Sequence, residues 1–230
     1  WRDYCTIDRT LLKAYFKIST PAIFVCTLWG ASTAMQTVIL GHMTAAAIAA
    51  NSIACTLLMM LRAGMNGAAS TASVITGRTI GRGDMKKVME YARTMQVIFL
   101  GIGIITSVLL FFFFFPILNV YDITPYTKAM ANSFILVLCI TCIGSAYENP
   151  TITGIIRGGG STRFDLVTDL VSIWGIVLPI SYAAAFLLKL PPVVVIAALN
   201  ADQIFKCIPA FIKVNFGKWI HVFTSTSESI

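Results

Sequence analysis

Arg62 lies in LLMMLRAGMNG and Glu148 in SAYENPT, each a single ionisable side chain among apolar neighbours. An ionised group in apolar surroundings is costly unless it is partnered or used. An arginine so placed keeps its proton, so it either holds an anion or pairs with a carboxylate. A carboxylic acid so placed can exchange a proton, hold a cation, or be that arginine's structural partner. Pro150, two residues after Glu148, has no N–H and frees a carbonyl near Ala146. Asp202 and Lys206 are four residues apart and face each other on a helix, which favours a neutralised structural pair; Asp169 reads as a structural acid. Gln36, Asn51, Asn66 and Tyr147 are neutral polar side chains in apolar stretches. Each can line a cavity or hydrogen-bond a neighbouring helix.

The elements that position these groups follow from composition. Of the 230 residues, 57% are hydrophobic and 12% charged, and the mean hydropathy is +0.81. Soluble domains run at roughly 45–50% apolar and about 25% charged. A soluble chain of this length could not hide so much apolar surface, so a membrane protein is expected. The chain begins WRDYCTIDR, without Met and without an apolar segment ending in a small-residue cleavage site. No secretory signal is read there, and chain upstream of Trp1 is expected.

Six apolar runs are long enough to cross a bilayer as helices, at roughly 11–41, 45–77, 88–120, 127–156, 164–188 and 191–216. None alternates as a barrel strand would. Turn chemistry separates them: Gly41-His42-Met43-Thr44, then Gly81-Arg82-Gly83-Asp84 with Asp84 placed to cap the third helix, then Tyr121-Asp122-Ile123-Thr124-Pro125. GIIRGGGSTRFD follows the fourth run, and Lys189-Leu190-Pro191-Pro192 sets a proline in the first turn of the sixth. By the helical rise, Arg62 is about 24 Å from either end of its run and Glu148 about 13 Å from Arg157, so both are deep.

The basic residues fall on one side. Arg2, Arg9, Lys13, Lys17, Arg78, Arg82, Lys86, Lys87, Arg93, Arg157, Arg163, Lys213 and Lys218 share it, against Lys128 and Lys189 on the other. Both termini and the glycine-rich turns are therefore expected in the cytoplasm. The same scatter, with no continuous basic face, argues against nucleic acid as the partner of the +7 net charge. Neither RGGGSTR nor GRTIGRG ends in GK[ST] or follows a strand, so neither reads as a phosphate loop. Their glycines allow a tight turn and close helix approach at the membrane surface. The two turns resemble each other, hinting at a two-helix repeat. Cys139 and Cys142 form a CxxC without a His or second CxxC, so no metal site is expected.

GRTIGRGD with KKVMEYAR, GIIRGGGSTRFDLVTDLVSIW with LPISY, LNADQIFKCIPAFIKVNFGKWI, and STPAIFVCTLWGASTAMQTVILGHM resemble the multidrug and toxic compound extrusion (MATE) transporters. The likeness runs from about Leu11 to Trp219 and covers the second lobe of that family. It implies an all-α polytopic fold of six transmembrane helices, one lobe of a twelve-helix, two-lobed transporter. It implies a cytoplasmic segment 1–10 linking the lobes, a transmembrane lobe 11–219 and a cytoplasmic tail 220–230. Its partner would be an N-terminal six-helix lobe or a second copy, and the chain is expected to be a fragment of the longer form. The location implied is a plasma membrane of the bacterial inner-membrane type.

The implied activity is ion-coupled antiport, with H+ or Na+ as the coupling ion and no cofactor, exporting drugs or organic cations by alternating access. A lipid-linked substrate flippase of the same superfamily, or a non-transporting scaffold, is the alternative. The family often has acids matching Asp169 and Asp202. Its cation-coupled members carry second-lobe carboxylates at the positions of Cys26 and Ala146, so that cation site does not transfer to this chain. Substrate and ion pathway candidates are Arg62, Glu148, Tyr147, Asn51, Asn66 and Gln36; Asp169, Asp202 and Lys206 form a structural polar network. A membrane enzyme is not expected: His42 and His221 are the only histidines, and no DxxD or HxxxH occurs at the interface.

Overall fold

The computed structural model describes the backbone of residues 9–118 and 124–220. The segment 1–8, residues 121–123 of the third turn, and the tail beyond Ile220 with His221 lie outside the described residues. Six helical rods follow one another: α1 (Arg9–Met43), α2 (Ala45–Gly81), α3 (Met85–Leu118), α4 (Pro125–Ile156), α5 (Thr162–Leu187) and α6 (Pro192–Phe216). Within α1 and α3–α6, five stretches are long and apolar enough to cross a membrane. In α2, 37 residues long, the apolar stretch described is Ala45–Thr56. No strand occurs among the described residues.

The expected turn chemistry operates at the helix starts. The Thr44 hydroxyl accepts from the Ala47 amide at 3.1 Å, and that of Thr124 accepts from the Thr127 amide at 3.3 Å, with Pro125 in the first turn. Asp84 Oδ1 accepts from the Lys87 amide at 3.2 Å, and Asp84 Oδ2 meets Lys87 Nζ at 2.8 Å. These contacts, the Lys87 side chain first, hold the Asp84 carboxyl below the usual carboxylate range. Its folded value lies below its unfolded one. Its contribution to stability is therefore present above the ordinary value of about 4 and lost as pH falls through the folded value. Asp84→Asn is expected to cause a small loss at neutral pH and none once the wild-type carboxyl is protonated. Thermal unfolding followed between about pH 3 and pH 7 checks this.

α4 is the hub and packs against α2, α3 and α6, while α5 packs against α1. Small residues let the hub sit close. A Cβ on Gly154 would stand 2.8 Å from the Ala69 carbonyl oxygen of α2, and one on Gly144 would stand 2.6 Å from that of Gln203 on α6. The outward faces remain apolar: Val97, Ile104, Ile105 and Phe112 of α3 are exposed, as suits helices whose solvent is hydrocarbon or a second apolar surface.

The stretch GIIRGGGSTRFD is a clasp between α4 and α5. Arg157 donates through Nε, at 3.1 Å, and through Nη2 to Asp165 Oδ2 in the first turn of α5. Gly158 lies against Ser73 of α2, and Gly159 lies under the Trp219 indole with no room for a Cβ. Gly160 has φ +90°, a backbone conformation that side chains oppose. The three glycines therefore serve a close approach, a ring contact and a turn.

Two apolar cores fill the bundle. One includes Leu40, Leu58, Met65, Phe134, Ile135, Ala146, Ile173, Leu199 and their neighbours. The other includes Ala72, Phe99, Ile152, Ile155, Ala210, Val214 and Trp219. Between them α4 contributes residues 147–151 and α6 contributes residues 200–209, and the polar groups gather in that layer.

Candidate functional site

Backbone irregularity shapes the layer. Pro150 cannot donate to the carbonyl one turn back, and from it to Ile156 α4 widens into a π-helix. Hydroxyls cover carbonyls around the break: Thr151 Oγ1 donates to the Tyr147 oxygen at 2.5 Å and Thr153 Oγ1 to that of Asn149 at 2.7 Å. α6 is interrupted twice. The Ala201, Gln203 and Ile204 amides bond three residues back, to Ala198, Asn200 and Ala201, and Lys206 forms a second turn.

Lys206 is the centre of the charge. Its Nζ is 2.7 Å from Asp169 Oδ1 on α5 and 3.1 Å from Asp202 Oδ2 on its own helix. The lysine side chain is 5% exposed and each carboxylate 15%, so the pair is closed off from solvent on both sides. The sequence pairs Asp202 with Lys206 correctly; the contact from Asp169, 37 residues away, comes only with the fold.

Glu148, half-buried, joins the same electrostatic neighbourhood. It feels Lys206 most strongly, then Asp202, Asp169 and Asp165. Asp165 already has Arg157. One ammonium thus faces three carboxyl groups, of which two bond it directly. Glu148 has no ion pair within the described residues and forms none with Arg62.

Arg62 turns elsewhere. With the Gln203 carboxamide oxygen toward it, Arg62 Nη2 donates to that oxygen at 2.9 Å, and the Gln203 nitrogen donates to the Thr141 carbonyl at 3.1 Å. The reverse orientation would face donor to donor. Arg62 Nε is buried without a partner. The guanidinium charge also reaches Cys55 on α2 and Cys142 on α4.

The other candidates separate. Tyr147 donates its hydroxyl hydrogen to Gln96 Oε1 on α3 at 2.6 Å, and Asn215 Nδ2 of α6 donates to the same oxygen at 3.2 Å. Tyr147 is thus tied into an interhelical network. Asn51 Oδ1 accepts from the Cys55 thiol at 3.6 Å. Asn66 is exposed on α2 and Gln36 half-buried on α1, neither placed in the Lys206 cluster. Gln203, Thr141, Gln96 and Asn215 are the polar residues that sequence reasoning passes over. Asn200 and Pro209 inside an apolar run were the available signals that α6 breaks there.

Five long apolar-faced helices around a central sixth, with a charged layer between two apolar cores, define a polytopic helical membrane protein. A model of the MatE family matches residues 21–183, and the chain belongs to that family of membrane transporters. It is 24% identical over 179 residues to "Probable multidrug resistance protein NorM" of Bacillus cereus (strain ATCC 10987 / NRS 248), covering 75% of this chain and 38% of that one. It is 30% identical over 111 residues to "Uncharacterized transporter YisQ" of Bacillus subtilis (strain 168), covering 47% of this chain and 24% of that one. A solved outward-facing multidrug resistance MATE family transporter of the MOP superfamily superposes with a TM-score of 0.82 at 15% identity, over 91% of this chain and 46% of its own. That likeness concerns the fold. The chain spans less than half the length of these relatives.

Proposed function

We propose that this lobe belongs to an ion-coupled exporter of drugs or other amphipathic organic molecules, working by alternating access against a second six-helix lobe or a second copy. Family membership supports the class. The observation that carries the mechanism is Glu148 beside the Lys206–Asp169–Asp202 cluster, at the Pro150 break in α4. Lys206 directly bonds two of the three carboxyls, leaving the third to take up H+ or Na+ as the lobes reorient. A cation bound there lowers the excess negative charge, and its release restores it, so ion occupancy and lobe position are linked. Both termini face the cytoplasm, and residues 1–10 and 220–230 flank the lobe 11–219. No cofactor and no catalytic residue enters this scheme.

Glu148→Gln keeps the shape and removes the exchangeable charge. In membrane vesicles holding the native gene product, gradient-driven efflux of an amphipathic dye is expected to fall at least about tenfold, with normal protein levels. Imposing a proton gradient and a sodium gradient separately identifies the ion. Undiminished gradient-driven efflux in Glu148→Gln would remove Glu148 from the coupling step.

A further inference from the structure

The Lys206 cluster leaves a second charge unexplained. Arg62 cannot release its proton, and none of the described carboxylates lies within ion-pair distance of it. Its hydrogen bond within the protein is to a neutral carboxamide, and its Nε is buried without a partner. A guanidinium offers five donors in a planar fork. Here one donor is used, and the side chain is only half-buried, so part of the fork stays open.

The surroundings are built to hold it. Gln203 is 7% exposed and fixes one edge of the guanidinium while its nitrogen is anchored on Thr141 of α4. Cys142 is fully buried alongside, and Leu58 and Met65, one turn either side of Arg62, are buried in the apolar core. An isolated ammonium or guanidinium held this deep, with rigid neighbours and no counter-ion, is complementary to an anion brought by a ligand.

Depth decides which anion. Arg62 is about 25 Å along α2 from Ala45 and about 28 Å from Gly81 on the helical rise. Lipid phosphates sit at the membrane surfaces, beyond the reach of an arginine side chain from the middle of such a helix. The anion therefore belongs to a small amphipathic molecule that enters the polar layer.

We infer that Arg62, oriented by Gln203, is a recognition site for a carboxylate or similar single anionic group on the transported molecule. This rests on the transport reading above for its biological setting, but the binding it describes needs no ion gradient. It also narrows that reading: the acidic layer around Lys206 suits a cationic group, and Arg62 adds a preference for ligands that carry an anion. Asp202 directly precedes Gln203 on α6, so the two charge preferences meet on one helix.

The test uses the purified native gene product in lipid nanodiscs and compares dansylglycine with its methyl ester, which differ in the carboxylate alone. The acid is expected to bind at least about tenfold tighter than the ester, as one charge-assisted bidentate contact implies. Arg62→Gln is expected to bring the ratio near one while leaving the ester's affinity unchanged. Equal affinities in the native protein, or an undiminished preference in Arg62→Gln, overturn the inference. Should Arg62→Gln fail to accumulate, Arg62→Lys carries the test: it keeps the charge but loses the fork, and the preference is expected to fall severalfold; an unchanged one counts against the site. The titrations are run in phosphatidylcholine and again with phosphatidylglycerol. An unchanged preference is expected, whereas one abolished by the anionic lipid assigns Arg62 to headgroups and overturns the proposal. Glu148→Gln protein that keeps the preference but loses efflux separates the site from the coupling mechanism.

Discussion

Lys206→Met is expected to deplete the folded protein from the membrane. The lysine bonds Asp169 at 2.7 Å and Asp202 at 3.1 Å, with both carboxylates 15% exposed. Removing one member of a buried pair leaves the other charge uncompensated, at a cost of about 3–5 kcal/mol. Here two carboxylates are orphaned, and Glu148 loses the cation it feels most. Against a typical stability of about 5–15 kcal/mol, that change is large. Thermal unfolding of the detergent-solubilised protein, with its level in membranes, measures it. The informative companion is Lys206→Met with Asp169→Asn and Asp202→Asn, which removes the charges together. It is expected to regain much of the lost stability, because the penalty lies in the unpaired charge rather than in the absence of the bridge. A single variant as stable as the native chain would mean that water reaches the carboxylates freely, and the layer would be an open cavity rather than a sealed cluster.

The sequence was most legible where one element decides the outcome. Asp84 caps its helix as the sequence places it to, because capping needs only the next three residues. Asp202 and Lys206 meet because four residues make about one turn. The span ranges followed from apolar length, which a bilayer dictates directly. The family likeness in GIIRGGGSTRFD followed from motif, and the turn and close approach from its glycines; the partners did not, because Trp219 over Gly159 and Ser73 against Gly158 are contacts across the chain. The pairing of deep charges was equally illegible. Apolar context alone offered an Arg62–Glu148 pair as one of two readings and could not decide it. The structure instead gives Arg62 to Gln203 and places Glu148 beside Lys206, because α6 turns one polar residue toward α2 and another toward α4 and α5. Asn200 and Pro209 carry part of that signal, since they break α6 and change which residues share a face.

Gly144→Val tests whether the charged layer depends on how closely α4 and α6 approach. The glycine lies one turn before Glu148, and even an added Cβ would stand 2.6 Å from the Gln203 carbonyl oxygen and 3.1 Å from its carbon. Both are backbone atoms, so no side-chain rotation relieves the clash; the helices must separate. Overpacking of this kind costs about 1–3 kcal/mol, and the γ-methyls of valine place the change toward the upper end. The separation would act on Gln203, and through it on Arg62, and on the Cys207 thiol, which donates to the Gly144 carbonyl at 3.4 Å. Gly144→Val is therefore expected to lower the unfolding midpoint and, in the protein that survives, to weaken the preference for dansylglycine over its ester. Gly101→Ala is the control, since a Cβ there meets nothing within 4 Å and alanine favours the helix by roughly 0.8–1 kcal/mol. Equal midpoints for the two variants would show that α4 and α6 slide apart without loss, and the positioning of Arg62 by Gln203 would then not depend on their contact.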